Sequence, residues 1–219
     1  MDSLVGNLLS LQVGQAQTRV TRRGREWTSA IAKEPVTGPV VLGRSQLAGD
    51  QQVNRKYHGG PNKAVCVYAA EHYPHWRATL ELDLPFGAFG ENFTVSGLTE
   101  DVMCIGDIFA VGSEVEVQVS QPRQPCINLA RRWDRPDLPK AMQENGWTGI
   151  YLRVLKEGSV TAGDTVTLIA RPHPGWTILR INHLLYGLDT AERTELEVAR
   201  SLEALAPPAK RALTRLLAR

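Results

Sequence analysis

Residues 114–119 read Glu-Val-Glu-Val-Gln-Val, so that valine alternates with a polar residue at every step. In an extended strand this period of two buries one face and leaves the other in water. Residues 105–111 and 162–168 follow a similar pattern, since each places a Gly-Asp turn before an alternating apolar run. Short strands separated by glycine-containing turns recur from residue 4 to residue 170. The pattern predicts a mainly β domain that closes as a barrel.

One helix is predicted inside this β region, over residues 70–80. Tyr73, Trp76 and Leu80 recur there at intervals of three and four, and Pro74 falls in the first turn. The character of the chain changes after residues 171–175, Arg-Pro-His-Pro-Gly, because three helical patterns follow. We therefore place a domain boundary at residue 172, with a barrel over residues 1–172 and a small three-helix domain over residues 173–219.

The three C-terminal helices have recognisable ends. Gly187 is expected to end the first, Asp189 with Glu192 forms a capping box that opens the second, and Pro207-Pro208 begins the third. The third helix has no acidic residue and carries four cations, Lys210, Arg211, Arg215 and Arg219. A solvated face explains so few charges more simply than a nucleic acid or a protein partner does.

The composition is that of an ordinary soluble protein, with 42% hydrophobic and 22% charged residues. The 25 basic and 23 acidic side chains give a net charge of +2, which is too small to make nucleic acid or a membrane an obligatory partner. The longest uncharged apolar stretch, residues 64–70, is too short to cross a membrane, and the N-terminus lacks a basic signal region. Three cysteines without zinc-site spacing favour a reducing compartment. We expect a soluble cytoplasmic protein.

The densest group of reactive residues follows the best strand, in residues 120–126, Ser-Gln-Pro-Arg-Gln-Pro-Cys. Two prolines restrict the backbone, so the strand is expected to run into a rigid turn that holds Cys126 beside Arg123. A nearby guanidinium favours the thiolate, which is the form that attacks substrates or binds metals. The alternative is a packed turn with an inert cysteine, and spacing alone does not decide between them.

A second group lies in residues 57–64, Tyr-His-Gly-Gly-Pro-Asn-Lys-Ala. Adjacent glycines let backbone N–H groups approach an anion, and Lys63 adds a positive charge. The pattern is not a Walker loop, and a turn with a surface histidine is the simpler interpretation.

A zinc site at His72 and His75, completed by His58 or Cys66, is a weaker hypothesis, since zinc requires three or four such ligands. The favoured alternative places Glu71, His72 and His75 on an exposed helix face. The sequence contains no G-x-S-x-G motif, which would indicate a serine hydrolase. Cys66 and Cys104 lie in apolar runs, and we expect both in the core.

Taken together, several segments resemble the MOSC domain, named after the C-terminal part of molybdenum cofactor sulfurases. Each segment is weak alone, but their order and spacing are specific, and the resemblance covers most of the chain. The segments are residues 28–33 (Thr-Ser-Ala-Ile-Ala-Lys), 48–52 (Ala-Gly-Asp-Gln-Gln), 58–65 (His-Gly-Gly-Pro-Asn-Lys-Ala-Val) with Tyr68 and 71–73 (Glu-His-Tyr), 87–93 (Gly-Ala-Phe-Gly-Glu-Asn-Phe), 97–100 (Gly-Leu-Thr-Glu), 105–107 (Ile-Gly-Asp) and 121–126 (Gln-Pro-Arg-Gln-Pro-Cys). The helical tail resembles the YiiM-type branch of this family, which joins the barrel to a three-helix domain.

The resemblance implies a MOSC-type β-barrel that binds the molybdopterin form of the molybdenum cofactor, with Cys126 as the protein ligand to molybdenum. A soft thiolate suits molybdenum better than hard carboxylates do. The pterin phosphate is expected against a glycine-rich turn and cations. The residues expected there are His58, Gly59, Gly60, Lys63 and Arg123, and matching motifs add Ser29, Lys33, Asn92 and Gln121.

The branch is associated with the reduction of N-hydroxylated compounds, including modified purine bases, with electrons from separate redox proteins. The resemblance therefore implies a molybdenum-dependent reductase of N-hydroxylated small molecules that uses a separate electron donor, with a homodimer as the default assembly. One alternative is a non-catalytic carrier of the cofactor or its sulfur. Another is a barrel that acts through its helical tail as an interaction or nucleic-acid-binding protein.

Overall fold

A computed structural model describes residues 4–21, 24–54, 58–188 and 192–218. Its strands are β1 (Val5–Gly14), β2 (Gln17–Val20), β3 (Glu26–Ser29), β4 (Lys33–Pro35), β5 (Val40–Leu42), β6 (Val65–Ala69), β7 (Phe93–Ser96), β8 (Ile108–Val111), β9 (Val115–Pro122), β10 (Ile150–Lys156), β11 (Gly158–Val160) and β12 (Thr165–Ala170). Its α-helices are α1 (Tyr73–Leu80), α2 (Ile127–Trp133), α3 (Leu138–Glu144), α4 (Ile178–Tyr186), α5 (Arg193–Ser201) and α6 (Pro207–Leu217), and short 3-10 turns span Pro61–Lys63 and Ala70–His72.

Seven strands close into a barrel, in the order β1-β12-β8-β9-β10-β6-β7 and back to β1. Strands β6 and β7 are parallel, whereas the other neighbours in this ring are antiparallel. Strand β4 pairs with the far end of β1, and β2 with β3 and β5 with β11 form separate two-stranded pairs. Closure leaves no free edge in the ring, and the prediction of a mainly β barrel is confirmed.

Strand β9 confirms the alternating pattern, because Val115, Val117 and Val119 are each at most 1% exposed. The strand runs on to Pro122, so its end carries the polar residues of the turn that follows. Strands β8 and β12 follow the two Gly-Asp turns as predicted.

The predicted helix over residues 70–80 is also present, as a 3-10 turn followed by α1. It buries Tyr73, Trp76 and Leu80, and Pro74 lies in its first turn. The expectation of one helix within the barrel region was incomplete, since α2 and α3 lie there too. Each has seven residues and buries only two of them, so neither presents the repeated apolar stripe that identifies a helix from sequence.

The C-terminal region contains the three expected helices. Gly187 ends α4 in the left-handed conformation, with φ of 65°. Asp189 lies outside the described residues, and α5 begins at Arg193 with Glu192 before it and no side-chain capping bond.

The helices and the barrel share one hydrophobic core. Ile178, Ile181 and Leu213 are fully buried in the same cluster as Phe109 and Val117 of the barrel. The boundary at residue 172 falls between β12 and α4, and the independence of the two parts stays a prediction. No helix in the described parts of the chain is long and apolar enough to span a membrane.

Candidate functional site

A cleft with a cavity volume of about 100 Å³ opens at one end of the barrel, between the glycine-rich turn, the end of β9 and the start of α2. The lining residues are Thr28, Ser29, Ala30, Ile31, Lys33, Asp50, Gln51, Gln52, Val53, Asn54, His58, Gly59, Lys63, Cys66, Gly90, Asn92, Arg123, Cys126, Asn128 and Tyr151.

The cleft brings together most of the residues singled out from the sequence. The eight that line it are Ser29, Lys33, His58, Gly59, Lys63, Asn92, Arg123 and Cys126. Gly60 and Gln121 are not among the lining residues, and their contact with a cofactor stays a prediction. Gly60 precedes the 3-10 turn Pro61–Lys63, and Gln121 is buried on β9, where its Nε2 donates to the carbonyl of Pro122 at 3.2 Å.

Gly59 has a clear reason to be glycine. Its φ is 97°, a conformation that residues with a side chain rarely adopt, and a Cβ there would lie 1.6 Å from Oε1 of Gln52. The glycine therefore lets the turn pass directly over the side chain of Gln52, which also lines the cleft.

Cys126 is positioned as the residue that precedes α2. Its backbone is extended, with φ of −117°, and its carbonyl accepts a hydrogen bond from Leu129 N at 3.0 Å. Burial opposes ionisation of the thiol, but a hydrogen bond from the His58 side chain and the charge of Arg123 outweigh burial and lower the pKa of Cys126 to about 7. Near neutral pH, Cys126 is therefore substantially a thiolate.

Arg123 supplies a buried positive charge to the same cleft. The residue is 4% exposed, and its Nη1 atom has no hydrogen-bond partner among the described residues. Burial alone would lower the pKa of Arg123, but Cys66, Tyr151 and Cys126 around it outweigh burial and raise that pKa. An unpartnered buried guanidinium nitrogen is costly, so the site is prepared for an acceptor that the protein does not itself supply.

Lys33 and Asn92 face the cleft but are already engaged with Asp50. Lys33 Nζ forms a short buried ion pair with Asp50, and Asn92 Nδ2 donates to the other carboxylate oxygen at 3.0 Å. Asp50 also accepts a hydrogen bond from Gly14 N at 2.7 Å. These contacts join the end of β1 to the start of β7, so Lys33 and Asn92 at least build the wall of the cleft.

Ser29 is similarly partnered. Its Oγ accepts hydrogen bonds from Ile31 N at 3.2 Å and from Asn128 Nδ2 at 3.3 Å. It therefore joins the end of β3 to α2, next to Cys126.

Sequence reasoning assigned no place in the site to twelve of the lining residues, among them Asp50, Cys66, Asn128 and Tyr151. Cys66 is buried, as expected of a core residue, but it also faces the cleft. Burial raises the pKa of its thiol to about 11, so it stays neutral at pH 7. Tyr151 on β10 pairs with Cys66 on β6 and with Gln121 on β9. Only this strand register shows that Tyr151 lies beside Cys66.

Cys104 is buried in the core as predicted.

The hypothesis of a zinc site at His72 and His75 is not supported by the arrangement of possible ligands in the described residues. Within residues 4–21, 24–54, 58–188 and 192–218, no group of three or more His, Cys, Asp and Glu side chains is placed to hold a metal ion. His75 is exposed as expected, but the exposed position predicted for His72 is wrong. His72 is buried, lies 2.6 Å from Glu100 through its Nε2 and stacks on Trp147.

The family models agree with this architecture. The model described as MOSC domain matches residues 54–167, and the one described as YiiM-like, 3-alpha helix domain matches residues 176–219. The chain therefore belongs to the MOSC domain family. Within that family, its C-terminal helices make it a YiiM-type protein.

Individual relatives support the same assignment. The chain is 43% identical over 199 residues to YflK of Bacillus subtilis (strain 168), with 89% of each chain covered. It is similar to the crystal structure of YiiM from Geobacillus stearothermophilus, with 36% identity and a TM-score of 0.81 over 97% of this chain and 99% of that one. It is also 38% identical to a protein named Reductase from Gibberella moniliformis (strain M3125 / FGSC 7600), covering 80% of this chain but only 32% of that protein's length.

Proposed function

We propose that the protein is a molybdenum-cofactor-dependent reductase of N-hydroxylated compounds, such as N-hydroxylated purine bases, with Cys126 as the ligand to molybdenum. One observation carries the proposal: a thiol whose pKa is lowered to about 7 shares a cleft with the unpartnered guanidinium nitrogen of Arg123. The match to the MOSC domain and the relative named Reductase support it.

The donor chemistry of the cleft fits such a cofactor. Cys126 offers one soft thiolate, and the described residues hold no three-ligand cluster that would bind a bare metal ion. A metal held here therefore needs further ligands from an organic group. Arg123 Nη1 lacks an acceptor, which a phosphate oxygen of that group would supply.

Cys126, Arg123 and His58 have different roles in the proposed reaction. When bound, the cofactor supplies two-electron chemistry that breaks an N–O bond, so that N–OH, two electrons and two protons give N–H and water. Cys126 provides the thiolate, and Arg123 holds negative charge from within the wall. The His58 side chain lies beside Cys126 and lines the open cleft, so it is the group that we propose delivers a proton to the departing oxygen.

The first test measures molybdenum and pterin in protein purified from a host that makes the cofactor. We expect stoichiometric metal and pterin in the wild type, and loss of metal in Cys126→Ser. Cys104→Ala is the matched control, because Cys104 is a buried thiol that does not line the cleft. Absence of metal and pterin from the wild type, even after incubation with released cofactor, would refute the proposal.

The second test measures turnover with a chemical reductant. The loaded wild type is expected to convert N-hydroxylated adenine to adenine with dithionite, and Cys126→Ser is expected to lose this activity. A loaded protein that transfers its cofactor to an apo-enzyme, but reduces nothing, would be a carrier instead.

Two further features belong to the proposal. Electrons come from a separate redox protein, and the compartment is the reducing cytoplasm, where Cys66, Cys104 and Cys126 form no disulfide.

A further inference from the structure

The basic face of α6 is a surface that the cofactor site does not explain. Ala209 and Leu213 bury one side of this helix in the shared core, whereas Arg211 and Arg215 are exposed on the other and Lys210 is half-buried between them. Arg211 and Arg215 are four residues apart, so two like charges stand on one face of a helix that contains no acid. Such a pair destabilises an isolated helix.

Cations on the neighbouring helices α4 and α5 form ion pairs. Arg180 of α4 pairs with Glu195 of α5, and Arg193 pairs with Glu197 four residues later. In the described ranges of the chain, Lys210, Arg211 and Arg215 have no acidic side chain within ion-pair distance. The three cations of α6 in the described part of the chain are thus left without an acidic partner, whereas Arg180 of α4 and Arg193 of α5 are each paired with a glutamate.

This face lies next to the mouth of the cleft. Just before α6, Ala206 N donates to the carbonyl of Ser120 on β9 at 2.9 Å. The hydroxyl of Ser120 donates in turn to the carbonyl of Asn62 at 2.6 Å, in the short turn that ends at Lys63. A chain of hydrogen bonds therefore fixes the start of α6 against the turn that lines the cleft.

The charges at this junction are close enough to affect one another. Lys63 lines the cleft and lies 5.3 Å from the ring centre of Tyr151, another lining residue. Burial and, after it, the positive charge of Arg211 lower the pKa of Lys63. The positive potential of α6 thus continues to the entrance of the site.

We propose that Lys210, Arg211 and Arg215, continuous with Lys63 at the mouth, form the docking surface for an acidic electron-transfer protein. The inference rests on the proposed function, because that reaction consumes two electrons that must arrive from outside the chain. An acidic carrier seated on α6 brings its redox centre to the open side of the cleft. Two reduced carriers are each oxidised by one electron, and these two electrons with two protons, one of them delivered by His58, convert one N–OH to N–H and water.

The test uses the full chain and a plant-type [2Fe–2S] ferredoxin, which is an acidic one-electron carrier, as the probe. Ferredoxin binding is measured by calorimetry at low and high salt for the wild type, Arg211→Glu and Lys156→Glu. Lys156 is the matched control, since it is exposed at the opposite end of β10 from Tyr151 and the charge change is the same. Thermal unfolding of each variant verifies that Arg211→Glu leaves the fold intact.

We expect Arg211→Glu to raise the Kd for ferredoxin about tenfold at low salt, and Lys156→Glu to change it less than about twofold. High salt should weaken wild-type binding and reduce the difference between the variants, because ions screen exposed charges. Equal effects of the two variants, or no ferredoxin binding by the wild type, would overturn the proposal. Salt-dependent binding of a short DNA duplex that Arg211→Glu abolishes, without ferredoxin binding, would overturn it in favour of a nucleic-acid surface.

Turnover measurements distinguish the proposed docking surface from the proposed reductase activity on which it rests. In the loaded enzyme, Arg211→Glu should leave dithionite-driven reduction unchanged and lower ferredoxin-driven kcat/KM by the same factor as binding. If dithionite drives no reduction in the wild type, the proposed function fails, while a contrast in ferredoxin binding still supports the docking surface.

Discussion

Replacing Asp50 by asparagine should destabilise the protein strongly, because this residue balances a buried charge. Lys33 and Asp50 form an ion pair whose side chains are 8% and 1% exposed. The second oxygen of Asp50 accepts from Asn92, and Gly14 N donates to the first. The amide introduced by Asp50→Asn would keep the shape of the carboxylate but leave the ammonium group of Lys33 buried without its counter-charge. With its oxygen toward Lys33 and Gly14, the new amide would also place its NH₂ group against the NH₂ group of Asn92, and two donors cannot hydrogen-bond to each other.

The size of the effect follows from the burial of the pair. Breaking a buried ion pair by removing one partner costs about 3–5 kcal/mol. For a chain of this size that loss corresponds to a fall in Tm of roughly 10 °C. The free energy of unfolding is measured by urea denaturation at pH 7, with an unchanged m-value as the check that the native state stays compact.

Two controls make the measurement specific. Lys33→Met removes the cation and leaves Asp50 with its Gly14 and Asn92 donors, so the double variant should lose less than the sum of the two single variants. Glu144→Gln breaks an exposed pair with Lys140 and should change stability by less than about 0.5 kcal/mol. A loss below about 1 kcal/mol for Asp50→Asn, or strict additivity in the double variant, would refute the view that Lys33 serves the wall of the cleft through Asp50.

Three further predictions test the site and the core. Alkylation of Cys126 by iodoacetamide in metal-free protein should accelerate as pH rises through about 7, because the thiolate reacts, while a midpoint above about 8.5 would contradict the lowered pKa. Gly59→Ala should lower the free energy of unfolding by about 1–3 kcal/mol through backbone strain and contact with Gln52, and more than Gly38→Ala, where φ is also positive but nothing lies within 4 Å. Leu213→Ala should cost about 2–5 kcal/mol and keep one cooperative transition, because α6 shares the barrel core, and two separate transitions in calorimetry would show that the domains unfold independently.

The elements that sequence analysis found are those whose signal is local. The valines of β9 alternate within eight residues, and Tyr73, Trp76 and Leu80 repeat within one helix. The helices that it missed, α2 and α3, are two turns long and bury too few residues to show a period. The parallel pairing of β6 with β7 and the closure of β1 on β12 join strands far apart in sequence, which no local pattern encodes.

The candidate site also has features that the local sequence encodes and features that depend on the tertiary structure. Prolines at positions 122 and 125 flank the turn between Arg123 and Cys126, and Gly59 lies in a turn with positive φ. The sequence by itself therefore determined the proximity of Arg123 to Cys126 and the glycine turn, but not the reactivity of the thiol. Tertiary structure decided what surrounds them. It brings His58 beside Cys126 and pairs Lys33 with Asp50. It also places Tyr151, but not Gln121, among the residues that line the cleft. The physical reason is that backbone conformation depends on adjacent residues, whereas burial and charge pairing depend on strands that meet only when the barrel closes.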